Sequence, residues 1–433
     1  MKWFFGIIIL LAGALVLESG LLAYAMYVLL GVLLLSRYLS TSWVNKVTAV
    51  RQGHSQAVEV GAVLAVSIKI HNFGWPIPWL LMEDLLPAKW LSTARQRLVV
   101  KKKRIKIVAL WGTMDLAYDI HFKMRGYYQI GPLVLETGDL FGLHRRYRVA
   151  TPAEYVLVYP RTLPLEGYDL ASRRPQGEIR LTHRLFEDPT RIAGIRAYEP
   201  GDPMHRINWK VSAHTGVLHS KVFEPTSLSG ATLVLDLHQA GYDAEREPQR
   251  SELAVTAAAS LAYVLYMMGE PVGLVSNARD AADRLRKQRF QYDFQTRREA
   301  RQTGLEENPN DRLQPVSIKT QSGPEQFDRI RTLLARVELN DGLTLPQLLS
   351  HHGRLLPRNA TVIVFVPEVT PETALALGNL RRRGYELAVI LVVMEEIARG
   401  RAQALLAAER VPFRHFKNDR ELAGICAACG LAR

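Results

Sequence analysis

Cysteine is nearly absent: Cys426 and Cys429 are the only two in 433 residues. Two thiols build no disulfide framework, so nothing in the chain demands an oxidising compartment. Their Cys-Ala-Ala-Cys spacing resembles that of redox pairs, which sit at the start of a helix where its dipole lowers the thiol pKa. Here they fall in what reads as the last helix, as small apolar packing residues, and two thiols alone cannot close a zinc site. Also missing are a glycine-rich phosphate loop, a nucleophile–base pair and a row of stacking aromatics. An enzyme or nucleic-acid binder built on the basic residues Arg196, Arg206 and Lys210 with Asp202 would therefore lack its usual machinery.

Charge is missing from one region in particular. Residues 3–35 hold a single ionised side chain, Glu18. The apolar runs Trp3–Leu17 and Leu21–Leu35 flank it, each about 15 residues or roughly 22 Å as helix. One long span would bury Glu18 near mid-membrane, at high cost. Two short spans with a tight turn leave Glu18 wet at the far interface, so a transmembrane helical hairpin over 1–39 is expected. A cleaved signal peptide ending at Ala23-Tyr24-Ala25 is the competing reading, but the apolar run continues to Leu35. Lys2 at one end and Arg37, Lys46 and Arg51 at the other put both ends in the cytoplasm by the positive-inside rule.

The formal charge is +13. That excess suits a protein working beside an anionic membrane surface, and it is read that way rather than as a nucleic-acid footprint.

Residues 44–160 alternate with period two, as in Leu64–Ile70 and Arg97–Leu110, and are punctuated by Gly, Pro and Asn. Such short strands predict a β-sandwich-like module. The run Lys101-Lys102-Lys103-Arg104 marks a turn or exposed edge. The glycines of Gly126–Pro132 and Gly138–Gly142 are read as supplying backbone freedom only.

Residues 161–230 read as a linker carrying the most informative stretch, Arg196 to Ala213. Pro200-Gly201 fits the centre of a type II turn, Asp202 an N-cap, Pro203 the first helical position and Gly216 the helix end. On that helix Arg206, Lys210 and His214 would line one face, as a partner surface or as a solvated stripe. Residues 231–433 alternate strands with helices: Ala231–Asp236, a run ending in an acid, Val272–Ser276, Val362–Val366 and Leu387–Val393 read as strands, and Ser251–Met268 and Pro371–Arg383 are helical. That order predicts a doubly wound α/β domain, interrupted by a charged, apolar-poor insertion at 279–322.

The pattern Arg196-x-Tyr198-x-Pro200-Gly201-Asp202-x-x-x-Arg206-Ile207-x-Trp209-Lys210 resembles the signature of domain-of-unknown-function family 58. Arg125-Gly126-Tyr127-x-x-Ile130-Gly131-Pro132 and Gly138-Asp139-x-Phe141-Gly142-Leu143 resemble that family's upstream segments. The resemblance implies a bacterial inner-membrane protein with a C-terminal von Willebrand factor A-like domain. It also implies a partner, a MoxR-type AAA+ ATPase, and work on cell-envelope complexes. A von Willebrand A metal site needs Asp-x-Ser-x-Ser, a Thr and a later Asp, oxygen ligands suited to Mg²⁺. This chain has Asp236-Leu-His238-Gln-Ala240, with Thr344 in a Gly-Leu-Thr-Leu loop and Glu368 in place of the later Asp. Asp236, His238 and Thr344 are thus a degenerate set, no metal or other cofactor is expected, and Asp236 is read as accepting hydrogen bonds from loop amides. The resulting expectation is a membrane-anchored, non-enzymatic adaptor with cytoplasmic soluble domains; the alternative is a divalent-metal-dependent adhesion-type binder with Asp236, His238 and Thr344 around the cation. In the adaptor the signature helix, Trp209 included, packs the β module onto the α/β domain.

Overall fold

The computed structural model describes residues 6, 9, 12–13, 20–53, 57–87, 97–101, 105–139, 144–165, 186–198, 204, 207–226, 230–243, 245–283, 313–357, 360–392 and 395–423. The chain divides into two compact units. One comprises 1–161 with 280–311 and 332–337; the other comprises 162–279 with 312–331 and 338–433.

The first unit begins with helix α1 (Gly20–Asn45), among the described residues the one helix long and apolar enough to cross a membrane. Its 26 residues span roughly 39 Å. Leu33, Ser36, Ser40, Trp43 and Val44 form a buried stripe at helical spacing. Leu21, Tyr24, Tyr27, Val28, Leu29, Leu34, Leu35 and Tyr38 are exposed on the same helix. Arg148 Nη1 donates to the carbonyls of Val44 and Asn45 at 3.0 Å each, closing the helix end. The sequence ends the second apolar arm at Leu35 and the hairpin at residue 39. The helix instead continues to Asn45, because Trp43 and Val44 extend the stripe that packs inward. The first arm falls almost wholly outside the described residues.

Eleven strands follow: β1 (Val47–Gln52), β2 (Ala57–Glu59), β3 (Val63–Asn72), β4 (Ile77–Asp84), β5 (Leu98–Lys101), β6 (Ile105–Leu110), β7 (Thr113–Phe122), β8 (Gly126–Ile130), β9 (Leu133–Gly138), β10 (Arg145–Thr151) and β11 (Glu154–Tyr159). They form sheets of order β1-β3-β7-β5, β10-β9-β4-β6 and β2-β11-β8. The stretch 97–110 is therefore two strands in different sheets, and its basic run 102–104 lies outside the described residues. In β3 every second side chain, from Leu64 to Ile70, points into a core shared with Leu80, Met82, Leu116, Tyr118 and Phe122.

Inside that unit sits an ion pair. Arg51 Nη2 donates to both oxygens of Asp84 at 2.7 and 2.8 Å, with the two side chains 1% and 0% exposed. Tyr118 Oη donates to Asp84 Oδ2 at 2.5 Å and Arg51 Nη1 to the carbonyl of Ile130 at 3.2 Å. Gly131 lies against this pair with φ +87°, and a Cβ there would stand 2.7 Å from Arg51 Nη2. Gly131 is thus required by close approach as well as by backbone freedom. Arg125, from the same segment, donates through Nη1 to the carbonyls of Leu334 and Val337 at 2.7 and 2.8 Å, both within the first unit.

The remaining elements are β12 (Phe186–Ala197), α2 (Trp209–Thr215), β13 (His219–Thr226), β14 (Ala231–Leu235), α3 (Gln249–Met267), β15 (Val272–Ser276), β16 (Arg279–Asp280), β17 (Val316–Gln321), α4 (Pro324–Arg336), β18 (Val337–Glu338), α5 (Leu345–His352), β19 (Thr361–Val366), α6 (Pro371–Arg382), β20 (Leu387–Val392), α7 (Glu396–Ala408), β21 (Phe413–Phe416) and α8 (Asp419–Ala423). The second unit is built on a six-stranded sheet of order β17-β15-β14-β19-β20-β21. Numbered within the sheet this is 3-2-1-4-5-6, with every pairing parallel except β15–β17. Fully buried runs such as Leu233–Leu235 and Val364–Val366 make the central strands. Strand β17 alternates half-buried and exposed side chains, as an edge strand does. It lies inside the stretch expected to be an insertion, and Ala281 and Ala282 of that stretch are buried. Only residues 284–312 of the charged segment fall outside the described residues.

Asp84→Ala leaves the buried Arg51 guanidinium with only the longer carboxylate contact, to Glu154 Oε1 at 3.9 Å, and is expected to cost roughly 3 kcal/mol. Arg145→Ala, in a pair whose arginine is 70% exposed, should change stability by less than about 1 kcal/mol. Denaturant unfolding of the two variants side by side checks the contrast.

Candidate functional site

At the carboxyl edge of the six-stranded sheet the first strand, β14, has β15 on one side and β19 on the other. Chain connections leave in opposite directions there, the position where open α/β sheets hold ligands. Asp236 is the next residue after β14, and its amide donates to Phe365 O at 3.0 Å. Its side chain is buried and held from two sides. Asn277, directly after β15, donates from Nδ2 to Asp236 Oδ1 at 2.8 Å, and the His238 amide donates to the same oxygen at 3.1 Å.

Asn277 does more than hold Asp236. Its Nδ2 also donates to Leu343 O at 3.0 Å, and its Oδ1 accepts from Leu237 N at 2.7 Å. Asn340 Nδ2 donates to Asn277 O at 3.2 Å, while the Asn340 amide donates to Leu237 O at 3.1 Å. Three loops thus meet on one buried amide. Burial pushes the Asp236 carboxyl above its ordinary pKa, and the Asn277 and His238 hydrogen bonds pull back only part of the way.

Thr344 caps α5: its amide donates to Gln347 Oε1 at 3.0 Å, and Leu348 N returns to Thr344 O at 2.9 Å. The His238 ring faces its own loop, with Nδ1 3.3 Å from Ala240 N. Among the described residues no three His, Cys, Asp or Glu side chains are grouped to hold a metal. Asn277 and His238 both donate to Asp236 Oδ1, so that oxygen is engaged within the chain.

Beside Asp236 opens a cleft of about 280 Å³ between the loops after β14, β19 and β20, lined by Tyr242, Arg246, Arg250, Glu368, Glu395 and Arg401 among others. Arg250 forms part of its wall. Its Nε donates to Val392 O at 2.9 Å and its Nη2 to Pro367 O, so one guanidinium ties the ends of β20 and β19. The same guanidinium stands 5.8 Å from the Tyr242 ring centroid. At the mouth Arg246 Nη2 pairs with Glu395 Oε1 at 3.1 Å, with the side chains 40% and 58% exposed. Exposed charges of both signs are therefore presented at the place the topology favours for binding.

The signature residues lie elsewhere. Asn208, not Asp202, is the N-cap, and helix α2 starts at Trp209, not Pro203; Gly216 ends it with φ +73°. Seven residues are too few to carry a stripe back to position 206. Lys210 and His214 are exposed on that helix; Arg196 is exposed and Tyr198 half-buried at the end of β12. Trp209 is 62% exposed, so it is not the buried packing residue that the sequence suggests. Pro200, Gly201, Asp202 and Arg206 lie outside the described residues, as do Cys426 and Cys429. Asn277 and Asn340 went unnoticed in the sequence, although Ser276-Asn277 closing an apolar strand was a usable clue. Arg246, Arg250 and Arg401 gave none, since arginines near or within helices are ordinary surface residues.

The second unit is a doubly wound, mostly parallel α/β fold. Residues 194–291 match the family described as "Protein of unknown function DUF58". Over 232 residues the chain is 25% identical to the "Uncharacterized protein YeaD" of Bacillus subtilis (strain 168), a match covering 53% of this chain and 55% of that protein. Among solved structures, the CARDB domain of the PF1109 protein from Pyrococcus furiosus, in complex with di-metal ions, aligns with a TM-score of 0.18 at 13% identity. That alignment covers 26% of this chain and 91% of the domain. A family 123 glycoside hydrolase from Clostridium perfringens aligns with a TM-score of 0.15 at 8% identity, covering 86% of this chain and 72% of the hydrolase. Neither score is high enough to establish a shared fold.

The pKa direction of Asp236 fixes a sign. Between the ordinary carboxyl pKa and the raised one, the folded chain binds more protons than the unfolded chain, so this group lowers stability as pH rises. Asp236→Asn keeps an acceptor for Asn277 and His238 but carries no charge. Its stability relative to wild type should therefore grow from about pH 4 upward and level off above the raised pKa. Chemical denaturation from pH 4 to 8 measures that difference; a difference that stays flat would show that Asp236 is not desolvated.

Proposed function

We propose that the chain is a membrane-anchored, non-enzymatic interaction protein that presents the carboxyl edge of its α/β unit to a protein partner. The observation that carries this reading is the mixed-charge cleft of Arg246, Glu395 and Arg401 beside a carboxylate already engaged by protein amides. Such a site has cations and anions for a partner's side chains, and one oxygen of its acid is engaged in internal bonds. Strand order 3-2-1-4-5-6 with an antiparallel third strand supports a von Willebrand factor A-like fold for this unit. Helix α1, with exposed leucines and tyrosines along its length, supports the anchor. With Arg37 and Lys46 retained on the inner side, the soluble units face the cytoplasm of a bacterial inner membrane.

The partner comes from the resemblance to family 58: a MoxR-type AAA+ ATPase, with a role in assembling or maturing cell-envelope complexes. Affinity capture with crosslinking from gently solubilised native membranes tests this. Wild type should recover an AAA+ ATPase near stoichiometry, and Arg246→Glu/Arg401→Glu should lose most of it while remaining folded. Recovery of the chain alone, or equal recovery by the double variant, would remove the cleft from the interaction.

A further inference from the structure

Three large aromatic side chains stand bare at one end of the β-rich unit. Phe73, Trp75 and Trp111 are 70%, 73% and 84% exposed. The first two belong to the turn between β3 and β4, the third to the turn between β6 and β7. One buried side chain gathers both turns. Asn72 Nδ2 donates to Trp75 O at 2.9 Å and Leu110 O at 3.4 Å, and its Oδ1 accepts from Gly74 N at 2.9 Å. The Asn72 amide donates to Gly112 O at 2.8 Å. The Phe73 ring stands edge-on to His71 with centroids 4.0 Å apart. The two turns thus make a single tip, and its three aromatic side chains are left to solvent.

That tip is joined to the foot of α1. Phe73 N donates to Lys46 O at 3.1 Å, and a Cβ on Gly74 would stand 2.8 Å from Lys46 Cδ. Ile77 pairs with Leu110 and Arg145 with Gly138, while Trp79 Nε1 donates to Asp139 O at 3.5 Å. The β9–β10 turn therefore lies at the same end. Ser36 Oγ of α1 is 3.2 Å from Nδ1 of His144 in that turn, so the helix leaves the unit from this end.

Depth follows from length. A span that begins at Ala23 crosses roughly 30 Å of hydrocarbon in about 20 residues. It comes out at about Trp43, which puts Lys46 and the turns bonded to it at headgroup level. Tryptophan settles there, with its ring in the acyl boundary and its N–H toward water. The charge agrees with that depth. No Asp or Glu occurs in 44–50, 70–80 or 105–114, and 140–143, outside the described residues, reads Leu-Phe-Gly-Leu. The carboxylates nearest the tip are already engaged. Asp115 stands opposite Lys69 across β3 and β7, and Glu136 Oε1 is 3.7 Å from Arg145 Nη1. Asp139 is buried and accepts from the His144 amide. A protein partner could meet these aromatics only inside the headgroup layer, so position along the helix selects lipid.

We propose that Phe73, Trp75 and Trp111 form an interfacial foot that seats the β-rich unit in the headgroup layer beside α1. It rests on the membrane-anchor part of the reading above.

The test places the full chain, one copy per nanodisc, in phosphatidylcholine–phosphatidylglycerol discs whose acyl chains are either plain or brominated near the glycerol, where bromine quenches indoles in contact with it. Wild type is compared with Trp75→Phe/Trp111→Phe, so that the remaining tryptophans cancel. Both substitutions keep a ring at an exposed position, and an unchanged melting temperature verifies that the fold survives. The emission contributed by the two indoles is expected to fall several-fold on bromination. A contribution of equal size in plain and brominated discs places the indoles in water; it overturns the proposal and leaves the anchor standing. A chain that does not stay with the discs overturns both.

Discussion

The α/β unit depends on a buried amide. Asn277 uses both side-chain donors and its acceptor on Asp236, Leu343 and Leu237, and so fastens the loops that leave the sheet at its topological switch point. A buried carboxylate left alone there would be costly; one that accepts two hydrogen bonds is tolerable, though still desolvated. The consequence is chemical. Asp236 Oδ1 is engaged by two N–H donors, and the Thr344 amide and carbonyl are spent on capping a helix. On the proposed reading, recognition at this edge falls to the charged side chains around the adjacent cleft.

A comparable constraint operates in the β-rich unit. Arg51, Asp84 and Tyr118 form a charge-assisted cluster inside an otherwise apolar core, and Gly131 is small because it lies against that cluster. Such clusters are weak sources of net stability but strongly penalise any alternative pairing that would separate them. The same unit takes up the inner stripe of α1, so the helix expected to meet lipid is continuous with folded protein. An anchor of this kind has no flexible linker at residue 45.

Much of the architecture was legible in the sequence, because hydrophobic period reports burial directly. The strand at Val272–Ser276 stands at the expected residues, because a short Val- and Leu-rich stretch suits a position buried on both faces. The helix ends were less legible. Asp202-Pro203 has good capping chemistry, yet Asn208 is the cap, because its side chain reaches Val211 N while the chain before it pairs with β13. Strand β17 was hidden by composition: an edge strand with Ser, Lys, Thr and Gln looks like polar linker until its partner is known. The candidate site was half legible. Asp236 stood out at a strand end, whereas the side chains that decide what it can do, Asn277 and Asn340, come from distant segments, and spacing says nothing about that meeting.

The cleft at the sheet edge offers both signs of charge, as partner proteins require for specificity. The most direct measurement is the melting temperature of the purified full chain in the presence of Mg²⁺, Mn²⁺ or Zn²⁺ and after chelation, for wild type and Asp236→Ala. No shift with any cation is expected, with Asp236→Ala melting lower throughout because Asn277 loses its acceptor. A rise in wild type that saturates with cation and vanishes in Asp236→Ala would contradict the metal-independent edge.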